Sequence, residues 1–362
     1  MAPASALVVM LALAGCGTDN NAGASDGASS TARPTDVACG SGSLTASGST
    51  AQANAMSEWT KDYQRFCTEA RLNYGGGGSG KGVTDFTNGV TDFAGSDFPL
   101  TAEQKSQADA RCGAGNQAID LPMVAGPIAV GYNLPGVDSL NLSADTIANI
   151  FASKITKWND PAISRDNPGV KLPSLGIQSF HRSDGSGTTF NFTNYLENDA
   201  GSAWTFGHGK SWAAPGGQGS KGTAGVAQGV KSTPGAIGYM ELSYATENAI
   251  SHAKVGNSQG QFVELTEANV RNFLSKATVA GSGDDLVLRF DYANTDPAAY
   301  PNVLVTYEIV CQKGNDPDRA ALLKGFFGYL AGSGQDVLAQ NGYVSLPDEL
   351  RQKVQAAVEK IG

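Results

Sequence analysis

Three parts of this sequence share one order of elements: a short apolar segment, a loop rich in glycine and serine, and then a helix. The three loops occupy residues 47–51, 75–82 and 182–188. After the third loop, Phe192, Tyr195 and Leu196 are spaced as the apolar face of a helix requires. Strands that alternate with helices predict an α/β fold, in which ligands bind at the carboxyl ends of the strands.

The third loop, Arg182-Ser183-Asp184-Gly185-Ser186-Gly187-Thr188, places a guanidinium, hydroxyls and glycines at the start of a helix. Free main-chain N–H groups and the positive end of the helix dipole favour an anion there. Glycine lets a ligand approach the backbone, and the planar fork of Arg182 suits oxyanions. The loop therefore predicts an anion site. The alternative is a capped helix beside a surface pair of Arg182 and Asp184.

Chain length and net charge limit the classes of protein to which this sequence can belong. A chain of 362 residues is long enough for two domains. Its formal net charge is −9, so it lacks the basic surplus that neutralises nucleic-acid phosphates. We therefore expect no nucleic-acid partner. A single small anion remains compatible with this charge, because local geometry governs its binding.

The N-terminus indicates export. An apolar run from Ala6 to Ala14 ends in Leu13-Ala14-Gly15-Cys16, which resembles the lipobox of bacterial lipoproteins. The run is too short to span a membrane as a mature helix. We predict a signal peptide at 1–15, a lipidated Cys16 and a flexible tether at 16–38. A signal peptide usually has basic residues before its apolar run, but no Lys or Arg precedes this one. The alternative is a disordered tail with an incidental cysteine.

Four cysteines remain after Cys16: Cys39, Cys67, Cys112 and Cys311. An even number in an exported protein predicts two disulfides, for which three pairings exist. We favour Cys67–Cys112 with Cys39–Cys311. If the chain forms two lobes, each of these bonds would join neighbouring parts of a single lobe. The spacing lacks the close pairs of a zinc site.

Two extended apolar segments, residues 121–132 and 303–310, are predicted to cross between two lobes. Helical spacing of apolar residues predicts a helix from Ile147 to Trp158 and two helices near the C-terminus. Residues 215–229 are rich in glycine and show little periodicity.

Two motifs suggest enzymes but miss essential parts. Gly75-x-x-x-x-Gly80-Lys81 nearly matches a P-loop, but Gly82 stands where a hydroxyl would hold magnesium. A bare anion facing this loop and Ser79 is the better interpretation.

The segment Gly256-Asn-Ser258-Gln-Gly260 matches a hydrolase elbow, yet His181, His208 and His252 all precede it, whereas that fold needs a later histidine. A polar turn is favoured. His181 is expected to be structural. We predict no catalytic residue, metal or cofactor.

Asp97 ends a strand, after Gly95 and Ser96, where a ligand would lie. A carboxylate repels an anion unless the anion carries a proton. Monohydrogen phosphate can donate that hydrogen bond and sulfate at neutral pH cannot, so Asp97 would select phosphate. The alternative is an aspartate that only caps a turn.

Five motifs in order now resemble one family. They are Ser47-Gly48-Ser49-Thr50, Asn73-Tyr74 with the loop to Ser79, Thr91-Asp92-Phe93-Ala94-Gly95-Ser96-Asp97-Phe98-Pro99-Leu100, Arg182 to Thr188, and Thr233-Pro234-Gly235-Ala236-Ile237-Gly238-Tyr239. Together they resemble the phosphate-binding lipoprotein of bacterial phosphate ABC transporters, especially its actinobacterial branch. The resemblance runs from about residue 40 to the C-terminus.

This resemblance implies a two-lobed periplasmic-binding-protein fold of type II, with lobe I at 39–123 plus 300–362 and lobe II at 124–299. The implied phosphate ligands are Thr50, Ala51 through its N–H, Ser79, Asp97, Arg182, Ser186, Gly187 through its N–H, and Thr188. Asp184 would orient Arg182. Ala51 replaces a Phe or Leu of many members, and Lys81 is unusual at the rim, where it either steers phosphate inward or is simply solvated.

The resemblance further implies an extracytoplasmic monomer that is anchored to the outer face of the membrane, binds inorganic phosphate, delivers it to an ABC permease and catalyses nothing. One alternative is a receptor for another tetrahedral oxyanion, such as sulfate or molybdate. Others are an exported phosphatase, or a signalling lipoprotein that has lost its ligand.

Overall fold

The computed structural model describes residues 32–362, and Pro34–Gly362 form one compact unit. The predicted signal peptide at 1–15, the lipidation site Cys16 and the tether as far as residue 31 lie outside the described residues. No helix within 32–362 has both the length and the apolar character needed to cross a membrane.

Strands and helices alternate along most of the described chain, as an α/β fold requires. The strands are β1 Gly42–Gly48, β2 Ala70–Gly75, β3 Phe93–Ser96, β4 Ala118–Asn133, β5 Asn141–Leu142, β6 Gln178–Arg182, β7 Gln218–Ser220, β8 Ala236–Glu241, β9 Ser251–His252, β10 Lys254–Gly256, β11 Phe262–Val263, β12 Thr278–Val279, β13 Leu288–Arg289 and β14 Val303–Cys311. The α-helices are α1 Ala53–Phe66, α2 Ser79–Thr87, α3 Ala102–Cys112, α4 Ala144–Phe151, α5 Pro161–Asp166, α6 Gly187–Asp199, α7 Gly222–Ser232, α8 Leu242–Glu247, α9 Glu267–Leu274, α10 Pro317–Ala331 and α11 Asp348–Val358. Short 3-10 helices cover Gly201–Ala203, Ser333–Val337 and Ala339–Asn341.

One large sheet organises the fold, with strands in the order β2-β1-β3-β14-β4-β8-β6-β7 and with β9 paired to β4. At one end β1 pairs in parallel with β2 and β3, and at the other end β6 pairs in parallel with β7 and β8. Between these two parallel groups, β14 and β4 run antiparallel to their neighbours. The sheet thus consists of two parallel groups joined by two long antiparallel strands.

The strand β4 pairs with a different neighbour along each part of its length. Residues 118–127 pair with β14, and residues 128–133 pair with β8. Its Pro122, which cannot donate a ladder hydrogen bond, lies at a register shift opposite Thr306 and Tyr307. Both β4 and β14 are almost wholly buried, as their continuous apolar sequences predict.

The apolar side chains form separate clusters around the first and the second half of β4. One cluster surrounds its second half and includes Phe151, Phe192 and Tyr239. Another packs α1 against α10, with Trp59 and Phe326 at its centre. Each parallel group of strands therefore has its own hydrophobic core.

The favoured disulfide pairing is wrong. The structure joins Cys39 to Cys67 and Cys112 to Cys311, with Cα–Cα distances of 5.2 and 5.4 Å. Helix α1 returns the chain to the beginning of β1. Cys67, at the end of α1, therefore meets Cys39, which lies shortly before β1. Cys112 ends α3, and the chain then enters β4 at Ala118, the ladder partner of Cys311. Cys112 and Cys311 are therefore close together.

Two predicted elements differ from the structure. The helix predicted from Ile147 to Trp158 ends at Phe151, because Ser153 adopts a left-handed conformation with φ of 59°. Trp158 is nevertheless fully buried in the same core, which explains its helix-like spacing. Residues 215–229 are also more regular than the sequence indicated, since α7 begins at Gly222 within them.

Candidate anion-binding site

The predicted ligand residues come together between the two groups of strands. Ser79 begins α2, Asp97 follows β3, and Arg182 ends β6 before the turn into α6. All are buried except Thr50, which is partly exposed. The α/β connections that the sequence predicted therefore meet at one place.

Arg182 is fixed by its own loop. Its side chain is 2% exposed, and its Nε donates to Asp184 Oδ1 at 2.8 Å while Nη2 donates to the other carboxylate oxygen. Nη1 donates to Thr188 Oγ1 at 3.3 Å. Burial acts to lower the pKa of Arg182, but the hydrogen bonds and charge of Asp184 outweigh it, so the pKa is raised. The guanidinium is thus a fixed, charged donor.

Asp184 is the partner that orients this guanidinium. It also accepts a hydrogen bond from the N–H of Gly222 at 3.0 Å, which attaches it to the start of α7. Burial opposes its ionisation, yet the hydrogen bonds from Arg182 bring the pKa of Asp184 below its usual value. Asp184 therefore links the guanidinium of Arg182 to the start of α7.

Asp97 is 3% exposed and is held on both carboxylate oxygens. Ser79 Oγ donates to Oδ2 at 3.0 Å, and Thr306 Oγ1 donates to Oδ1 at 2.7 Å. Burial raises the pKa of Asp97, although these hydroxyls and the charge of Arg182 act in the opposite direction. Asp97 therefore presents a carboxyl group with acceptor capacity in a buried site.

Helix α6 begins beside Asp97. Ser186 Oγ accepts the N–H of Thr189 at 3.1 Å and so caps the helix. A Cβ at Gly187 would collide with the side chains of Asp97 and Ser79. Only glycine allows this approach, and it brings the positive end of α6 next to the carboxyl group.

Contacts across the gap join the two groups of strands. Gly80 N–H donates to Gly185 O at 2.9 Å, and Asn191 Nδ2 donates to Asp97 O at 2.6 Å. At the other side of the site, the hydroxyls of Thr50 and Thr223 are 3.0 Å apart. The structure therefore describes a closed arrangement.

Sequence reasoning missed Thr223 at this site. It is buried on the first turn of α7, and Arg182 Nη1 donates to its hydroxyl at 3.2 Å. Its N–H also donates to Thr50 Oγ1 at 3.2 Å. The glycine-rich composition concealed the helix, although Gly222-Thr223 follows the same glycine-then-hydroxyl pattern as Gly187-Thr188.

Two buried glutamates were also missed. Glu241 Oε1 accepts from Thr188 Oγ1 at 2.7 Å, and Glu308 lies two residues beyond Thr306 on β14. A single charged residue within the apolar run of β14 was the signal that could have revealed Glu308.

The remaining candidates are placed as follows. The N–H of Ala51 donates to Ser49 Oγ at 3.0 Å, so this predicted ligand has an internal partner. Lys81 forms an ion pair with Asp85 and is half exposed. His181 stacks on Trp212 with ring centroids 4.8 Å apart, which fits a structural role. Ser258 lies between β10 and β11 in a turn, without the helix that a hydrolase elbow needs.

A fold of two α/β parts that close over a buried polar site defines a binding protein of the periplasmic type. A family model described as the PBP superfamily domain matches residues 33–333. Phosphate-binding protein PstS 3 of Mycobacterium leprae is 43% identical over 353 residues, with 96% of this chain and 95% of that protein covered. Phosphate-binding protein PstS 2 of Mycobacterium tuberculosis is 41% identical over 357 residues, covering 97% and 95%.

Solved structures show the same fold. A high-affinity periplasmic phosphate-binding protein bound with phosphate, PfluDING, matches with a TM-score of 0.72 at 23% identity, covering 87% of this chain and 93% of that one. A phosphate-binding protein from Stenotrophomonas maltophilia matches with a TM-score of 0.67 at 19% identity and the same coverage. The chain belongs to the PstS family. The predicted family and two-lobed fold are confirmed.

Proposed function

We propose that this chain is an extracytoplasmic substrate-binding protein that captures inorganic phosphate and delivers it to an ABC importer. The names of its relatives support phosphate as the ligand. The observation that carries the proposal is the pairing of a fixed guanidinium, Arg182, with a buried carboxyl group, Asp97, whose charges act on each other. A donor and an acceptor are what an anion that still carries a proton requires.

The proposed ligands are the eight predicted residues together with Thr223. Arg182 supplies charge-assisted donors, and Thr50, Ser79, Ser186, Thr188 and Thr223 supply hydroxyls. The N–H groups of Ala51 and Gly187 lie at or before the starts of α1 and α6, where free donors favour an anion. For Ala51, phosphate would take the hydrogen bond that Ser49 accepts in this structure.

Asp97 provides the proposed selectivity. Ser79 and Thr306 each donate to one oxygen of its carboxylate, and further lone pairs remain for the hydroxyl of monohydrogen phosphate. Sulfate would place an acceptor against an acceptor in a buried site, which costs the full desolvation of both groups. The carboxyl group therefore distinguishes two anions of similar shape.

Capture would work by closure of two lobes, at 39–123 plus 300–362 and at 124–299. The change of β4 from pairing with β14 to pairing with β8 supports a boundary within this strand. Lobe I brings Thr50, Ser79 and Asp97, and lobe II brings Arg182 to Thr188. Because neither lobe alone satisfies the anion, phosphate favours the closed state.

Location and partners complete the proposal. The protein would be a monomer held at the outer face of the membrane by lipid on Cys16, and it would pass phosphate to a membrane permease without chemical change. The lipobox-like sequence and the glycine-serine-threonine-rich segment after it support the anchor.

The test is to purify the full chain without added phosphate, denature it and assay the released anions. We expect about one phosphate per chain. Protein that releases sulfate or molybdate instead would make this a receptor for that oxyanion. Turnover of a chromogenic phosphate ester by the intact protein would contradict binding without catalysis.

A further inference from the structure

Glu308 is the least satisfied carboxyl group of the described site. It is completely buried, and neither of its side-chain oxygens has a hydrogen-bond donor. Gln52, the cap residue of α1, is also completely buried, and its Oε1 has no donor either. Three buried acceptor atoms without donors are costly unless a proton is present.

Glu308 pairs in the ladder with Gly95 of β3, and a Cβ on Gly95 would meet Gln52 Nε2 and the hydroxyl of Tyr74. Because paired residues of antiparallel strands present their side chains on the same face, Glu308 lies beside Gln52 and Tyr74. The Nε2 of Gln52 donates to the hydroxyl of Tyr74 at 3.0 Å, and that hydroxyl donates to Ser49 O at 2.8 Å. This chain of contacts ends at the main chain that immediately precedes Thr50. The side chain of Glu308 therefore supports the segment that carries two of the proposed phosphate ligands, Thr50 and Ala51.

Charge gives a second, independent reason for a proton. Asp184 already neutralises Arg182, while Asp97, Glu241 and Glu308 add three further carboxyl groups. Glu308 faces Asp97 and the hydroxyl of Tyr74, and neither supplies a positive charge. Burial, together with the charge of Asp97, raises the pKa of Glu308 well above its usual value despite the contact with Gln52.

We propose that Glu308 is a positioning residue that stays protonated while the anion is bound and donates its proton to Gln52. This inference rests on the proposed phosphate function and deepens it. A neutral Glu308 removes one negative charge from beneath the anion and satisfies Gln52 Oε1. The same proton holds the segment from Ser49 to Ala51 in place.

The test compares Glu308→Gln, which mimics the protonated acid, with Glu308→Ala, which removes the hydrogen bond. Calorimetric titration with phosphate at pH 7 should give E308Q an affinity within about twofold of the wild type, and E308A a loss of about tenfold or more. Glu103→Gln removes one negative charge at an exposed position and is the control for net charge. An E308Q affinity as low as that of E308A would overturn the proposal.

Two further readouts separate a proton from a merely structural role. Between pH 6 and 9, the affinity of the wild type relative to E308Q should stay level or fall, because loss of the proton penalises only the wild type. A relative affinity that rises with pH would mean that ionised Glu308 helps binding and would contradict the proposal. Infrared spectra of the phosphate-loaded wild type should contain a protonated-carboxyl band that E308Q lacks; identical spectra would also contradict it.

A wild type that binds no phosphate in these titrations would refute the proposed function itself. The Glu308 inference alone fails when the wild type binds phosphate but E308Q binds it as weakly as E308A, or when the pH dependence or the infrared spectra contradict it. The two failures are therefore distinguishable in one experiment.

Discussion

The main-chain N–H of Gly80 donates to the carbonyl oxygen of Gly185 at 2.9 Å, so the start of α2 touches the anion loop directly. This contact joins distant parts of the chain and belongs to the closed arrangement. It depends on glycines, because a Cβ at Gly78 would collide with Gly185 O and with the carboxylate of Asp184. The closed state is therefore sensitive to a single methyl group at this loop.

Gly78→Ala should weaken phosphate binding by about tenfold or more, since the added methyl group prevents full approach of the loops. Gly89→Ala is the matched control. Both glycines have positive φ, 92° and 70°, but a Cβ at Gly89 meets nothing within 4 Å. Gly89→Ala should lose about 1 kcal/mol of unfolding free energy from its positive φ. Gly78→Ala should lose more, because its φ of 92° and ψ of 153° lie in a region that is almost restricted to glycine. Titration and thermal unfolding measure the two effects, and equal affinities for the two variants would exclude a role for this contact.

Arg182→Lys should reduce phosphate affinity by about a hundredfold. Lysine keeps the charge but loses the planar fork that binds Asp184, Thr188 and Thr223 together. Charge-assisted hydrogen bonds of this kind are each worth about 1.5–3 kcal/mol. Arg271→Lys, at an exposed helical ion pair, is the control and should bind normally. A normal affinity for R182K would mean that charge alone suffices.

The two disulfides should differ in their contribution to stability. Cys112–Cys311 joins residues 199 positions apart, and Cys39–Cys67 only 28. In the chain-entropy account, replacing the first pair by serine should cost about 2 kcal/mol more than replacing the second. Denaturant unfolding measures this difference, and peptide mapping of the oxidised protein should recover both pairs. Recovery of Cys67–Cys112 instead would restore the pairing that the sequence favoured.

Asp199, at the end of α6, gives a prediction about pH. Neither of its carboxylate oxygens has a hydrogen-bond donor, and burial raises its pKa to about 7. Because the folded state holds this proton more tightly than the unfolded chain, the protein should lose stability as pH rises from about 4 to about 7.

Asp199→Asn should remove that loss and be more stable than the wild type at pH 8 by about 2 kcal/mol, with little difference at pH 4. Asp348→Asn, the same change at an exposed aspartate, is the control. Denaturant unfolding at the two pH values measures both. A D199N variant that is no more stable at pH 8 would mean that Asp199 is solvated when ionised.

The sequence predicted the fold class and singled out most of the residues that meet at the candidate site, because both depend on local patterns. The loop from Arg182 to Thr188 and the position of Asp97 after β3 follow from strand, turn and helix signals over a few residues. Disulfide pairing depends instead on where α1 and α3 return the chain, which composition does not encode. The prediction went wrong there.

Thr223 and Glu308 were missed for a related reason. Thr223 stands in a helix of small residues, whose weak apolar periodicity conceals it, and it reaches the site only when α7 packs on β6 and β8. Glu308 is recognisable as a charge within an apolar strand. Its neighbours Gln52 and Asp97 come from distant parts of the chain, so its role required the tertiary structure.

The central claim is that Asp97 makes an anion loop selective for phosphate. The most direct measurement is a titration of phosphate-free wild type and Asp97→Asn with phosphate and with sulfate at pH 7, using Asp85→Asn as a control carboxylate outside the site. We expect the wild type and D85N to bind one phosphate and to reject sulfate. In D97N, the ratio of phosphate affinity to sulfate affinity should fall at least tenfold. Equal binding of phosphate and sulfate by the wild type, or unchanged selectivity in D97N, would contradict the account.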